Sequence, residues 1–169
     1  MDKRWIYIII ILIVGISALY AIASSSTTVG RAIVDVNTFT LTLPDSFSIS
    51  DTDKLSAELI NKNTQEYINI TDCGKGNSTS ELFLKDINWA YDSGEYEKIE
   101  NKTTTYNNIT INTVYMFTEN NTVKSSTYFV KFNHTFHIKS AKFHDQKSID
   151  ENIEFIIDTL QIDYKQSQD

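Results

Sequence analysis

From Trp5 to Ala23 the chain runs 19 residues without a charge, eight of them isoleucine. As a helix this stretch would rise about 28 Å, close to a hydrocarbon core of about 30 Å, so it predicts one membrane span. Its strong aliphatics each favour insertion by roughly 0.3 to 0.6 kcal/mol, which Gly15 and Ser17 reduce without cancelling. Lys3 and Arg4 precede the run and the next basic residue is Arg31. The positive-inside bias therefore keeps residues 1–4 in the cytoplasm and sends the rest of the chain outside. Trp5, Tyr7 and Tyr20 stand near the two ends, where amphipathic rings prefer the interface. A second reading is a signal peptide cleaved after Ala23, because Ala21-Ile22-Ala23 has the small-x-small form; the chain would then be secreted. The run exceeds the roughly 7 to 15 residues of such a peptide's apolar region, which favours a retained anchor over 5–23. No Glu lies a few residues into the run, as a pilin would need.

Beyond a linker over 24–36, Ser/Thr-rich from Ser24 to Thr28, the periodicity changes to strand. Phe39-Thr40-Leu41-Thr42-Leu43 alternates until Pro44, and Phe47 and Ile49 read as a partner strand after a tight turn at Pro44-Asp45-Ser46. Further strands are expected at Ser56 to Ile60 and at Tyr67 to Thr71, where Ile68 and Ile70 share a face. Ser78-Thr79-Ser80-Glu81 then fits a capping box, with Leu82, Phe83, Ile87, Ala90 and Tyr91 at helical spacing as far as Gly94 and Trp89 on the flank.

A strand near Tyr96 to Glu100 and a turn at Asn107-Asn108 lead into Ile109 to Thr118. There Ile109, Ile111, Tyr115 and Phe117 face one way and Val114 and Met116 the other. A turn at Asn120-Asn121, a strand Thr127 to Phe132, a turn at Asn133-His134 and a strand Thr135 to Phe143 complete a meander. Ser148-Ile149-Asp150-Glu151 reads as a second capping box, opening a helix striped by Ile149, Ile153, Ile156, Ile157 and Leu160. Strands in runs with one helix in the middle and one at the end predict an α+β domain, an antiparallel sheet with helices packed on it.

The opening Phe39-Thr40-Leu41-Thr42-Leu43-Pro44, the central helix, the asparagine turn at Asn107-Asn108 and the closing helix running into Thr159-Leu160-Gln161-Ile162 together resemble the PsbP-like superfamily. That group is named after an extrinsic protein of the photosystem II oxygen-evolving complex. The resemblance covers about 39–162. It implies an α/β/α sandwich with a six- or seven-stranded antiparallel sheet, a domain over 37–165, and an accessory or binding role without a shared catalytic motif. The aromatic expected near the start of the second strand corresponds to Phe47, and the longer loop that often follows is short here.

Charge narrows the partners. From residue 24 onward 13 Lys and Arg face 21 Asp and Glu, a net charge of −8, which disfavours phosphate backbones and excludes nucleic acid as a partner. Cys73 is the only cysteine, so no intramolecular disulfide and no thiolate-rich metal site can form. A lone thiol at a strand end, buried or idle, is favoured over lipidation, an intermolecular bridge or a reactive thiol.

Asn-x-Ser/Thr sequons occur at Asn69, Asn77, Asn101, Asn108, Asn120 and Asn133. For an exported domain, Asn77, Asn101, Asn108, Asn120 and Asn133 are candidate glycosylation acceptors, whereas Asn69 sits inside an expected strand. The competing reading is an Asn- and Thr-rich composition from an AT-rich genome, and Asn/Ile/Lys richness suits a low-GC prokaryote or archaeon.

His134, His137 and His144 cannot converge on one metal, since His137 faces opposite to the other two and those lie about 33 Å apart along a strand. Asp45, Asp51 and Asp53 do not match a calcium loop, and Gly74-Lys75-Gly76 matches no phosphate-binding pattern and reads as a flexible turn. No catalytic residue, cofactor or metal is named by the sequence. The leading expectation is a non-enzymatic, membrane-tethered extracytoplasmic module for a protein or glycan partner. A surface hydrolase or sugar-active enzyme whose carboxylates meet only in three dimensions, and a structural cell-surface subunit, are the alternatives.

Overall fold

In the computed structural model, which describes residues 32–162, apolar packing begins ahead of the expected boundary at 37. Ile33–Asp35 forms strand β1, with Val34 fully buried and Val36 nearly so. The end of the expected 24–36 linker is thus core, since two valines at strand spacing gain more from burial than from solvent. The cytoplasmic residues 1–4, the span 5–23, the linker residues 24–31 and residues 163–165 lie outside the described residues. Among the described residues no helix is long and apolar enough to cross a membrane.

Strand β2 (Phe39–Thr42) buries Phe39 and Leu41 as its alternation requires. The turn through Ser46, at φ 69°, leads to β3 (Phe47–Thr52), yet β3 is not the partner of β2. It pairs instead with β4 (Ser56–Asn61), and β4 with β5 (Tyr67–Lys75). The reason is that both edges of β2 are occupied, one by β1 and the other by the last strand of the chain.

Helix α1 (Thr79–Ser93) starts as predicted, Ser78 Oγ accepting from the Glu81 N–H at 3.4 Å, and it stops at Gly94 in the left-handed region. Its buried stripe is narrower than expected. Ile87 and Ala90 are inside, but Tyr91 is 63% exposed, because the helix rests mainly on three strands.

Those strands are β6 (Lys98–Tyr106), β7 (Ile109–Phe117) and β8 (Val123–Lys131). Asn107 and Asn108 both have positive φ, as a two-residue hairpin of the primed type demands. The hairpin between β8 and β9 (His134–Phe143) turns one residue earlier than expected, at Phe132 and Asn133. Phe132 is therefore a 48% exposed turn residue and not the end of a strand. His134 is drawn into β9 by its pairing with Lys75 and by bonds from Nδ1 to both oxygens of buried Asp72, at 2.9 and 3.1 Å.

Helix α2 (Gln146–Thr159) begins before the expected capping box. Asp145 is its cap: one carboxylate oxygen accepts from the Ser148 N–H at 2.7 Å and the other from the Ser148 hydroxyl at 2.9 Å. These bonds hold the Asp145 carboxyl below its ordinary pKa. The five-residue stripe from Ile149 to Leu160 is buried as predicted. Strand β10 (Gln161–Ile162) then returns to β2.

The result is an α+β fold with a seven-stranded antiparallel sheet, in the order β3-β4-β5-β9-β8-β7-β6, and a separate three-stranded sheet β1-β2-β10. The larger core joins α2 and the small sheet to one face, through Phe39, Ile70, Phe129, Phe136 and Ile153 among others. A smaller core of Ile87, Ala90, Val114 and Met116 lies under α1 on the opposite face. The two apolar sides of β7 thus serve two cores, Ile111 and Tyr115 facing the larger and Val114 and Met116 the smaller.

Candidate functional site

Because α1 covers only the β6–β8 end of its face, the rest of that face is left open on β5 and β9. A groove of about 520 Å³ lies at the boundary, within the usual range for small-molecule sites. Trp89 and Lys85 of α1 form one wall with Tyr96, and Tyr67, Lys139 and Ala141 of β5 and β9 form the other; Met116 and Lys124 also line it. Trp89 meets Tyr96 edge to face at 6.2 Å and stays 55% exposed, and the Lys124 ammonium sits 5.3 Å from the Tyr96 ring centre. Tyr67 donates to Glu58 at 2.9 Å, and burial with that carboxylate pushes its phenol up to about 12. Ser125 and Ser140 also border the groove, but the pairing turns their side chains to the α2 face, beside Tyr115 and Ile68.

On the lining of the groove, Asp86 of α1 meets Ser126 and Tyr128 of β8 and His137 of β9. The Ser126 hydroxyl donates to Asp86 Oδ2, the Tyr128 hydroxyl donates to the same oxygen at 2.8 Å, and His137 Nε2 lies 2.6 Å from Ser126 Oγ. The imidazole stacks on the Tyr128 ring with centroids 4.2 Å apart. Burial pushes the His137 pKa down to about 4, against the pull of the Asp86 charge, so the ring is neutral near pH 7. Burial and Asp86 also raise the Tyr128 pKa.

The presence of serine, histidine and aspartate invites comparison with a nucleophile triad, and the proton count decides against it. A carboxylate only accepts, so the single Ser126 proton goes to Asp86 and Ser126 Oγ accepts from His137 Nε2–H. The serine stands between acid and base, where a triad places the histidine, and it is 4% exposed. This cluster ties α1 to the sheet and activates no nucleophile.

The other expected residues stay apart. Asn77, Asn101, Asn108, Asn120 and Asn133 are all exposed, while Asn69 is locked between β4 and β9. Asp51 and Asp53 each accept from the next residue's N–H, at 2.8 and 2.6 Å, as turn formers do; among the described residues no metal-ligating group of three occurs. His134 and His137 lie on opposite faces, and His144 is exposed beyond β9. Gly74 and Lys75 continue β5 through a bulge, where a flexible turn was expected. Cys73 is half-buried there, and burial, with the Asp72 charge, raises its pKa and keeps it a thiol.

Sequence reasoning missed the groove. Its residues are 74 positions apart at the extremes, Tyr67 to Ala141, and only the antiparallel pairing brings them together. One local signal existed: Ser125-Ser126-Thr127 interrupts a strand with three buried hydroxyls, and one of them marks the polar cluster.

Neither a protein-family model nor a curated protein sequence matches this chain. Solved structures do. The solution structure of cyanobacterial PsbP (CyanoP) from Synechocystis sp. PCC 6803 superposes with a TM-score of 0.51 at 6% identity, over 79% of this chain and 91% of that one. A crystal structure from Bacteroides thetaiotaomicron gives a TM-score of 0.51 at 13% identity, over 80% of this chain and 49% of that one, so the chain spans about half of that protein. The fold is PsbP-like, as the element order predicts, and at these identities the likeness is one of fold.

Proposed function

We propose that this chain is a non-enzymatic binding module held outside the cytoplasm by the 5–23 helix. The observation that carries this reading is the groove beside α1, where Trp89 is left accessible and the adjoining Ser126 is not set up as a nucleophile. An aromatic residue half exposed on a concave wall costs solvation that a bound partner would recover. The accessory role implied by the PsbP-like resemblance and the acidic surface agree with it.

The test is photocrosslinking in intact membranes with a benzophenone amino acid in place of Trp89. A specific adduct at position 89, and none at the exposed turn position 132, is the expected result; equal labelling or no adduct defeats the reading. N-terminal sequencing of the same material checks the anchor, since a chain starting at Ser24 would be a secreted one.

The five exposed sequons carry a separate expectation, glycosylation of an exported domain. Asn108 and Asn133 stand at left-handed turn positions and are open to a transferase, whereas the paired strand of Asn69 is not. Chemical deglycosylation is expected to lower the mass by whole glycans, with Asn69 unmodified, and an unchanged mass rules this out.

A further inference from the structure

We infer that the groove binds a small organic anion, a carboxylate or phosphate on an aromatic or aliphatic body, with the anionic group on Lys85, Lys124 and Lys139 and the body against Trp89, Tyr96 and Met116. This deepens the binding-module reading and rests on it.

The argument begins with charge. The whole chain carries −7, yet one groove gathers three lysines. Lys98, Lys102 and Lys147 sit against Glu100, Asp150 and Glu151. Lys54, Lys62 and Lys142 have no ion pair among the described residues but are scattered, so the gathering of three lysines at one groove is the distinguishing feature. None of the three groove lysines has a carboxylate within ion-pair distance among the described residues. Asp86 is the one acid among the lining residues and accepts from Ser126 and Tyr128, while Glu58 accepts from Tyr67, so the groove sets three cations against one carboxylate. Three cations gathered on a concave wall against one carboxylate repel one another and focus a field that an anion satisfies. A cation is repelled by the same field.

The polar inventory disfavours a neutral polyol such as an uncharged sugar. The Ser126 hydroxyl is spent on Asp86, and the register turns Ser125 and Ser140 away. What remains is aromatic and thioether surface plus lysine stems, which suits an apolar body. A volume of about 520 Å³ suits a small molecule and is small for a folded partner.

Equilibrium dialysis of the full chain in phosphatidylcholine nanodiscs, with empty discs as the blank, tests this with three probes of one shape: 2-naphthoate, 2-naphthamide and 2-naphthylmethylammonium. Naphthoate is expected to bind at least about tenfold more tightly than the amide, as charge-assisted bonds allow, and the ammonium most weakly. The combined Lys85→Gln, Lys124→Gln and Lys139→Gln variant should erase the preference of naphthoate over naphthamide, and Trp89→Ala should weaken both. The circular dichroism spectrum of each variant should match that of the parent, which separates lost binding from lost folding. Equal binding of naphthoate and naphthamide, or a preference that survives the triple variant, overturns the anion assignment while the groove stands as a binding site. Absence of all probe binding, with the photo-adduct at position 89 still formed, overturns the small-anion assignment alone. Loss of both removes the module reading with it.

Discussion

Replacing Phe136 with alanine should destabilise the domain by about 3 to 5 kcal/mol, a large part of the roughly 5 to 15 kcal/mol that holds a domain of this size. Phe136 has no exposed surface and lies mid-strand in β9. It meets Phe39 edge to face at 5.7 Å and stacks on Phe129 at 5.5 Å. Phe39 belongs to the three-stranded sheet and Phe129 to the seven-stranded one, so the cavity would open where the two sheets are joined. Each aromatic pair adds about 0.5 to 1.5 kcal/mol beyond its buried area, so the loss belongs at the upper end of the range. Urea unfolding followed by circular dichroism measures it. Phe132→Ala is the matched control: Phe132 lies under the Lys131 ammonium on an exposed turn, and its loss should cost less than about 1 kcal/mol. A Phe136→Ala variant within about 1 kcal/mol of the parent would contradict this packing.

Acid should weaken the domain through His137. Its imidazole is neutral in the fold with a pKa of about 4, against an ordinary value of about 6.5 in the unfolded chain. Between those values the unfolded state binds the proton and the folded state refuses it, so stability falls as pH drops. The contribution is intact above about pH 6.5 and is lost progressively toward pH 4, by about 3 kcal/mol in total. Below that the imidazole is charged against Asp86, its only close carboxylate among the described residues, with Lys139 opposing. Carboxylates titrate over the same interval, so the informative quantity is the difference between parent and His137→Gln in urea midpoints at pH 7.5 and pH 4.5. The variant should lose less on acidification than the parent. Identical slopes would mean that His137 is not the group being titrated.

Much of the architecture is legible locally because the interactions that set it are local. The Ser78 cap is read three residues ahead by Glu81, the Asn107-Asn108 turn depends on two residues that tolerate positive φ, and the α2 stripe repeats every three to four positions. The double-sided apolar pattern of β7 announces a strand buried on both faces. Where two local signals compete, the tertiary partner chooses. Asp145, offering two carboxylate oxygens, takes the cap from the Ser148 box, and Asp72 draws His134 into β9 and moves the turn onto Phe132.

Strands of two or three residues carry too little pattern to be seen alone. β1 and β10 exist because β2 offers each a free edge, which also explains why β3 looks elsewhere for its partner. By itself the sequence determined the element types, the faces of the long elements and the order that resembles PsbP, all of which follow from spacing along the chain. Only the tertiary structure decided strand partnership, how much of the sheet α1 leaves uncovered, and the meeting of Tyr67, Trp89, Lys124 and Lys139 at one groove. Those depend on contacts between segments tens of residues apart, whose loop-closure cost is repaid only when the whole sheet forms.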